Sequence, residues 1–273
     1  MAMTRLGPKS GRVARIPIMG PISRRDSFWS ALFGGTSVEG LVKIMRDVAV
    51  DETISTVLLD IDSPGGTVAG MPELAAEVRR LRESKHVVAL ANSMAASAAY
   101  WIASQADEIV ATPEALVGSV GVFAMHEDWS KLLENAGVKV SYISAGKYKT
   151  EGNFEEPLTD EARAHIQSIV DDSYGLFVGD VARGRGVSAA DVRANYGEGR
   201  ALTVKDAKAA GMIDRIAGYD ETVRRLAGVK AEDPSTPLRS AQDDKDVSNS
   251  QARIALMRRR LEIAQKTLEE VAK

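Results

Sequence analysis

The sequence contains no cysteine in 273 residues and only three histidines. A chain without cysteine has no disulfide framework, no cysteine-ligated zinc site and no thiol nucleophile, and this composition fits a reducing compartment. No run of about 18 apolar residues is present, so we expect no membrane span. The basic start of the chain also lacks the apolar core of a signal peptide. We therefore expect a protein that acts in the cytoplasm.

The sequence also lacks a strong excess of charge of one sign. The formal net charge is −3, which gives no reason to expect a nucleic-acid partner. Hydrophobic residues make up 44% and charged residues 27% of the chain, as in ordinary globular proteins. The length suffices for one full-sized core plus an appendage. No feature of the sequence requires a metal or a cofactor, and we expect neither.

Apolar runs alternate between strand-like and helical spacing along most of the chain. Strands are predicted over residues 13–22, 56–61, 86–91, 109–111 and 138–143. Helices are predicted from a cap at Ser37 to Val48, and over residues 72–82, 131–136, 159–184 and, with a turn, 204–213. Strands that alternate with helices predict an α/β domain with a largely parallel sheet.

The composition divides the chain into four parts. Residues 1–12 are expected to be disordered, 13–228 to form the folded domain, and the polar stretch 229–251 to be a disordered linker. Residues 252–273 then predict an amphipathic helix with a short heptad seam. The seam consists of Ile254, Met257, Leu261, Ala264, Leu268 and Val271. This helix either associates with another chain or partner, or lies on its own domain.

A serine among small residues is the first candidate for chemistry. Ser97 lies in the stretch A-A-S-A-A-Y-W, where a predicted strand gives way to a helix. Its alanine neighbours let a substrate backbone come close, and the amide of Ala98 at a helix start would point at a reacting carbonyl. By itself, however, the motif is also what a buried serine in an alanine-rich helix looks like.

Two glycines, Gly65 and Gly66, follow another predicted strand. They lack the frame of a P-loop or of a dinucleotide-binding turn, which disfavours nucleotide binding. The pair is compatible with a tight turn or an approach to a phosphate. Glycine amides can also donate hydrogen bonds to an oxyanion.

The general base is not identified by any histidine motif. His86, His126 and His165 all lie outside recognisable motifs, although a Ser-His-Asp triad is defined only by geometry and stays open. A lysine base must lose its proton near pH 7, which takes roughly 4.6 kcal/mol against an ordinary pKa of about 10.4. Burial in an apolar site can supply this. A neutral amine also needs a hydroxyl partner, for which Ser119 and Thr150 are candidates.

Four motifs in order carry a resemblance to a known family. They are S-P-G-G at 63–66, A-A-S-A-A-Y-W at 95–101, G-S-V-G-V-F at 118–123 and G-K-Y-K at 146–149. Together they resemble the signal peptide peptidase A (protease IV) family of Ser-Lys peptidases. The resemblance covers about residues 13–218 and implies a ClpP/crotonase-like α/β fold of stacked β-β-α units.

The resemblance also implies a role for each site residue. Ser97 would be the nucleophile and Lys149 the general base. Ser119 would hydrogen-bond the lysine amine, and the amides of Gly66 and Ala98 would form the oxyanion hole.

The family pattern selects one of two candidate lysines. Its base follows a small residue, a variable residue and an aromatic or histidine, which selects Lys149 over Lys147. This chain departs from the pattern in two respects. Many relatives have two glycines after the nucleophile, where this chain has Ala98 and Ala99. We also expect no membrane anchor of the kind common among the bacterial signal-peptide-degrading enzymes. The linker and terminal helix resemble those of the bacteriophage head peptidases of the minor capsid protein C type.

The sequence therefore predicts a serine endopeptidase that acts through an acyl-enzyme on protein or peptide substrates. We expect a homo-oligomer that matures phage heads by cleaving scaffold or capsid proteins, in the host cytoplasm or within a prohead. A peptide-degrading cytoplasmic enzyme of the same family is the alternative. Two other classes stay open: a crotonase-like acyl-CoA enzyme, and a capsid or scaffold component with a silent peptidase domain.

Overall fold

The computed structural model describes residues 3–6, 12–25 and 34–228. The strands are β1 Thr4–Leu6, β2 Val13–Met19, β3 Ile22–Ser23, β4 Thr36–Ser37, β5 Thr56–Ser63, β6 His86–Ala96, β7 Glu108–Ala111, β8 Leu116–Gly118, β9 Ala201–Thr203 and β10 Arg215–Ile216. The helices are α1 Val38–Val50, α2 Met71–Leu81, α3 Ala98–Ala103, α4 Ser130–Asn135, α5 Asp160–Arg185, α6 Ala189–Asn195, α7 Val204–Ala209 and α8 Tyr219–Leu226.

A mostly parallel sheet forms the centre of the domain. Its strands follow the order β1-β2-β5-β6-β7-β10, and only β1 in this series runs antiparallel to its neighbour. Strand β6 changes partner along its length: Val88–Ala91 pairs with β7, whereas Met94–Ala96 pairs with β8. Strand β8 pairs in turn with β9. The far end of β6 is thereby carried into the turn that holds Ser97.

Alternate residues of the central strands face two different apolar layers. On β5, Val57, Leu59 and Ile61 belong to the main core, whereas Leu58 belongs to a smaller cluster on the opposite face. The main core also receives the buried sides of α1, α2 and α3 and the C-terminal half of α5. Strands that are covered on both faces are expected to be apolar at nearly every position. The sequence of β5 has such an apolar run.

Most predicted elements are confirmed. The helix after Ser37 begins at Val38, and the Ser37 hydroxyl caps it by accepting a hydrogen bond from Gly40 N. The long helix predicted over 159–184 is α5. The apolar side chains of α5 do not all lie on one buried face, since Ile169 is exposed. Strand β6 extends five residues beyond the predicted end at residue 91 because its second half pairs with β8.

Two predictions are corrected. Thr4–Leu6, expected to be disordered, pairs with Val13–Arg15 as an antiparallel hairpin. Residues 138–143, predicted as a strand, pair with no strand among the described residues. The alternation of Val138, Val140 and Tyr142 suits a strand, but the segment has no neighbouring strand to bond and its side chains are exposed. The predicted linker 229–251 and heptad helix 252–273 lie outside the described residues.

Within those described ranges, no helix combines the length and apolar character that crossing a bilayer requires.

Candidate active site

Ser97 lies on a strained turn between strand β6 and helix α3. Its φ of 54° and ψ of −125° lie in a region that a non-glycine residue rarely occupies. The turn is held by hydrogen bonds from Ser97 N to the Gly118 carbonyl oxygen at 2.7 Å and from Trp101 N to the Ser97 carbonyl oxygen at 2.9 Å. Such strand-turn-helix strain is typical of a nucleophile whose hydroxyl must stand clear of the backbone.

Gly65 lies directly against the serine. A Cβ added at Gly65 would be 2.7 Å from Ser97 Cβ and 2.9 Å from Ala98 N, and the φ of Gly65 is +100°. Only glycine fits this position without displacing the serine turn. The sequence motif predicts no separate role for Gly65, because two segments distant in sequence come close only in the fold.

The amides of Gly66 and Ala98 are available as donors beside the serine. Gly66 forms a parallel bridge with Ile22, whose hydrogen bonds run from Ile22 N to Gly65 O (2.8 Å) and from Thr67 N to Ile22 O (2.9 Å). Neither bond uses Gly66, so its N–H points away from Ile22. Ala98 is the first residue of α3, where helix N–H groups lack intrahelical acceptors.

The neighbouring amide of Gly65 is occupied. It donates to the Ser63 hydroxyl at 3.1 Å, and that hydroxyl donates to the Gly20 carbonyl oxygen at 2.6 Å. Ser63 therefore fixes the loop, and the next amide, that of Gly66, has no acceptor among the described residues. This supports the sequence-based choice of Gly66 as the oxyanion donor.

Ser119 also lies next to the nucleophile. It follows Gly118, whose carbonyl accepts the Ser97 amide, and its own amide donates to the Arg200 carbonyl oxygen at 2.9 Å. Ser119 has a φ of 53° and is half-buried. The structure thus brings together Ser97, Ser119 and the two predicted oxyanion donors.

Lys149 is not part of this cluster within one chain. It lies on an exposed turn, and its ammonium makes no hydrogen bond or ion pair with another described residue. The turn is attached to the first turn of α5, because Tyr148 Oη and Lys147 Nζ both donate to Glu161, at 2.7 and 3.3 Å. Helix α3 instead packs on the C-terminal half of α5.

The two halves of the predicted dyad are therefore attached to opposite ends of α5. Trp101 of α3 hydrogen-bonds Asp180 at 2.9 Å, whereas the lysine turn contacts Glu161. An α-helix rises about 28 Å between positions 161 and 180. A lysine base also needs burial, which the exposed Lys149 does not find among the described residues.

Lys147, the competing lysine, is engaged elsewhere. Hydrogen bonds with Tyr148 and Glu161 raise the pKa of Lys147 above its ordinary value. The same bonds, Tyr148 first, lower the pKa of Glu161. A general base requires the opposite change in its pKa, so this environment supports the choice of Lys149.

The three histidines do not form a triad with Ser97. His86 lies 3.7 Å from Asp107 at the start of β6, and His126 contacts the carbonyl oxygen of Asn153 at 2.8 Å. His165 is exposed on α5. In the described structure, none of the three has a hydrogen bond to the serine.

Residues 121–158, here called the arm, form an unusually apolar exposed surface. The arm carries ten of the sixteen exposed large hydrophobic side chains among the described residues. These ten are Phe123, Met125, Trp129, Leu132, Val138, Val140, Tyr142, Ile143, Tyr148 and Phe154. An exposed patch of this kind is typical of an interaction surface.

Comparisons with known proteins identify the family of this chain. The model of peptidase family S49 matches residues 79–232, a range that contains Ser97, Ser119 and Lys149. A Synechocystis protein named as a protease is 32% identical over 220 residues, covering 81% of this chain and 74% of that protein. Capsid assembly protease C of Escherichia phage lambda is 31% identical over 224 residues, covering 80% and 51%.

A second phage protein is similar to the same degree. Head-tail preconnector protein GP5 of Enterobacteria phage P21 is 32% identical over 215 residues, covering 79% of this chain and 42% of GP5. The chain thus spans about half or less of the length of the two phage relatives.

Solved structures show the fold. A serine-to-alanine mutant of the 1510-N membrane-bound stomatin-specific protease matches with a TM-score of 0.51 and 13% identity, over 79% of this chain and 88% of that chain. ClpP1 from Listeria monocytogenes matches with a TM-score of 0.47 and 13% identity, over 77% and 94%. The likeness to the stomatin-specific protease confirms the predicted fold class.

Proposed function

The chain belongs to peptidase family S49, and from this premise we propose that it is a serine endopeptidase with Ser97 as nucleophile and Lys149 as general base. The observation that carries the proposal is the strained serine turn, beside which the Gly66 and Ala98 amides are free to donate. Ser119, which follows the Gly118 carbonyl that accepts the Ser97 amide, would hold the incoming lysine amine.

The proposed reaction proceeds in two halves. The Ser97 Oγ attacks the carbonyl carbon of the scissile peptide bond while the neutral Lys149 amine takes the hydroxyl proton. The Gly66 and Ala98 N–H groups hold the oxyanion of the tetrahedral intermediate. When the C–N bond breaks, Lys149 returns the proton to the leaving amine. The lysine then takes a proton from a water molecule, which attacks the acyl carbon, and it gives that proton to Ser97 Oγ as the ester C–O bond breaks.

The exposure of Lys149 leads us to propose that self-association completes the site. The lysine turn belongs to the arm, whose apolar side chains are exposed in the single chain. Association of copies through the arm would bury the turn and bring one copy's Lys149 to another copy's Ser97. This arrangement supplies the desolvation that a lysine base requires.

The proposed substrates are capsid or scaffold proteins during maturation of a phage head. The similarity to lambda capsid assembly protease C and to P21 GP5 supports this role, placed in the host cytoplasm or prohead. The Synechocystis relative is equally similar, so peptide degradation by a cellular enzyme is the competing role.

Intact-mass spectrometry tests the proposed activity. Wild type, Ser97→Ala and Lys149→Ala would each be incubated alone and with an unfolded protein, and circular dichroism would show that each is folded. We expect defined fragments from wild type only. Equal behaviour of the three folded chains would contradict the peptidase and favour a silent scaffold protein.

Two further readouts separate the competing roles. A serine-reactive phosphonate should modify Ser97, whereas a crotonase-like acyl-CoA enzyme has no reason to react there. Cleavage of co-produced capsid and scaffold proteins at single sites would support head maturation. Cleavage confined to short peptides would favour the cellular role.

A further inference from the structure

The helix that presents the nucleophile is short and cannot fix its own orientation. Helix α3 has six residues, and an isolated helix of that length is unstable in water. All six residues are buried. The direction of the Ala98 N–H, and with it the placement of Ser97, is therefore set by whatever α3 packs against.

Helix α5 provides a tight and directional contact to α3. The Trp101 ring stacks on Phe177 with centroids 4.4 Å apart and planes inclined by 5°. The Trp101 Nε1–H donates to Asp180 Oδ2 at 2.9 Å. A Cβ added at Gly184 would overlap the carbonyl oxygen of Ser104, at the far end of α3. The two helices are thus held at three successive points.

Asp180 is the polar centre of this contact. The residue is 7% exposed, and its Oδ1 accepts from Arg183 at 2.5 Å and from Arg79 of α2 at 3.2 Å. A buried carboxylate costs free energy that apolar packing would avoid, even when arginines pair with it. A hydrogen bond to a charged acceptor is, however, stronger and more directional than apolar contact. The hydrogen bond to this carboxylate therefore fixes the orientation of the Trp101 ring, which apolar burial by itself would not do.

We infer that Asp180 is a positioning residue that acts through Trp101 to fix α3, and thereby the alignment of Ser97 Oγ and the Ala98 amide with the scissile bond. The inference rests on the proposed function. The lysine turn is hydrogen-bonded to Glu161 at the other end of α5, so the same helix contacts both segments of the chain.

Two substitutions isolate the hydrogen bond. Trp101→Phe keeps a ring on Phe177 but removes the N–H donor. Asp180→Asn removes the charge but keeps an oxygen that can accept from Trp101, whereas Asp180→Ala removes the acceptor. Arg183→Gln is the matched control, since it takes away the solvent-side partner of Asp180 and leaves Arg79 and Trp101 in place.

The measurement is the rate of Ser97 modification by a fluorophosphonate, resolved into an apparent binding constant and a limiting rate. Since small misplacements of reacting groups lose up to about a hundredfold in rate, we expect Trp101→Phe and Asp180→Ala to lower the limiting rate by about tenfold or more. The binding constant should change little. Asp180→Asn should restore most of the rate, and Arg183→Gln should match wild type. Thermal melts of each variant identify any that fail to fold.

Three outcomes would overturn the inference. Trp101→Phe could react like wild type, or lose thermal stability without any change in limiting rate, which is what a purely structural contact predicts. Asp180→Asn could be as slow as Asp180→Ala while Trp101→Phe is normal, which would assign the effect to charge. If wild-type Ser97 is not modified at all, the proposed function fails and α3 has no nucleophile to position. Modification of wild type therefore distinguishes the two failures.

Discussion

At the scale of single residues, the site is built more from backbone than from side chains. The glycine loop contacts the serine turn, and the Gly118 carbonyl accepts the Ser97 amide, so in the proposed site backbone groups would position the substrate carbonyl. Side chains enter only as the nucleophile and the groups around the base. A substitution that adds even one methyl group to the glycine loop should therefore lower peptidase activity strongly.

Gly65→Ala tests this dependence. The new methyl group would be 2.7 Å from Ser97 Cβ, so we expect activity to fall by about a hundredfold or more. The left-handed φ should also cost about 1–3 kcal/mol of unfolding free energy. The measurements are peptidase turnover and urea unfolding.

Gly186→Ala is the matched control for Gly65→Ala. Gly186 also has a left-handed φ, of +66°, but a Cβ there would meet nothing within 4 Å. The Gly186→Ala variant should have a lower free energy of unfolding than wild type but the same turnover per folded molecule. Equal loss of turnover in both variants would refute a specific role for the glycine loop.

The residues of the site were predictable to different degrees. Ser97, Gly66, Ala98 and Ser119 lie in motifs, and the structure places them together. The contact between Gly65 and the serine turn could not be predicted, because it joins segments separated by a whole helix and strand. The exposure of Lys149 was also unpredictable, since a local motif carries no information about which surface will cover it.

At the scale of elements, hydrophobic periodicity predicted the central strands and long helices because their faces are buried within this chain. The predicted strand at 138–143 was wrong because periodicity records the residues that favour pairing, whereas a strand also needs a partner. The short elements β8 and β9 were not predicted. Each has only three residues, which carry too little pattern, and the two are defined by pairing: β8 with β6, and β9 with β8.

The free energy of unfolding should depend on pH through Asp214, which lies next to β10 at the edge of the sheet. Burial raises the pKa of Asp214, but hydrogen bonds from Arg185 and from the Ile109 amide outweigh it, so the net pKa lies below its ordinary value. The stabilisation by this carboxylate is therefore present above about pH 4 and is lost as the pH falls through the lowered folded-state pKa. Its contribution should be about 1 kcal/mol, since Asp214 is partly exposed.

Asp214→Asn measures that contribution. The unfolding free energy of wild type should fall more steeply between pH 5 and pH 3 than that of the variant, because the variant has no carboxylate to protonate. Urea unfolding at several pH values provides the comparison. Parallel curves for the two proteins would show that Asp214 has no part in the acid sensitivity.

At the scale of the whole molecule, the exposed arm is the surface through which we propose that copies associate to complete the site. Ile143 is fully exposed at the end of the unpaired segment, close in sequence to the lysine turn. We expect Ile143→Asp to weaken self-association by about tenfold or more, because an unpaired charge would be buried in the interface. Peptidase activity should fall with it, at unchanged thermal stability of the monomer.

Val50→Asp is the matched control for the arm. Val50 is also highly exposed but lies on α1, outside the arm. Its substitution should change neither the mass distribution, measured by analytical ultracentrifugation, nor the activity. If Ile143→Asp associates like wild type, the arm is not the interface.

Mixing two inactive variants tests whether the dyad is shared between copies. Ser97→Ala still carries the lysine, and Lys149→Ala still carries the serine. If each site takes one group from each of two copies, random co-assembly should restore both groups in about a quarter of the sites. Activity in the mixture, but in neither variant alone, is the expected result. An inactive mixture with demonstrated co-assembly would place both groups in the same chain.

The most direct test of the Ser-Lys assignment is mass spectrometry after treatment with a fluorophosphonate. Wild type should gain one adduct that maps to Ser97, and Lys147→Ala should react at the same rate. Ser97→Ala should not react, and Lys149→Ala should react about 10²–10⁴-fold more slowly, the usual range for loss of a general base. An adduct at another residue, or a loss of reactivity in Lys147→Ala rather than in Lys149→Ala, would contradict the assignment.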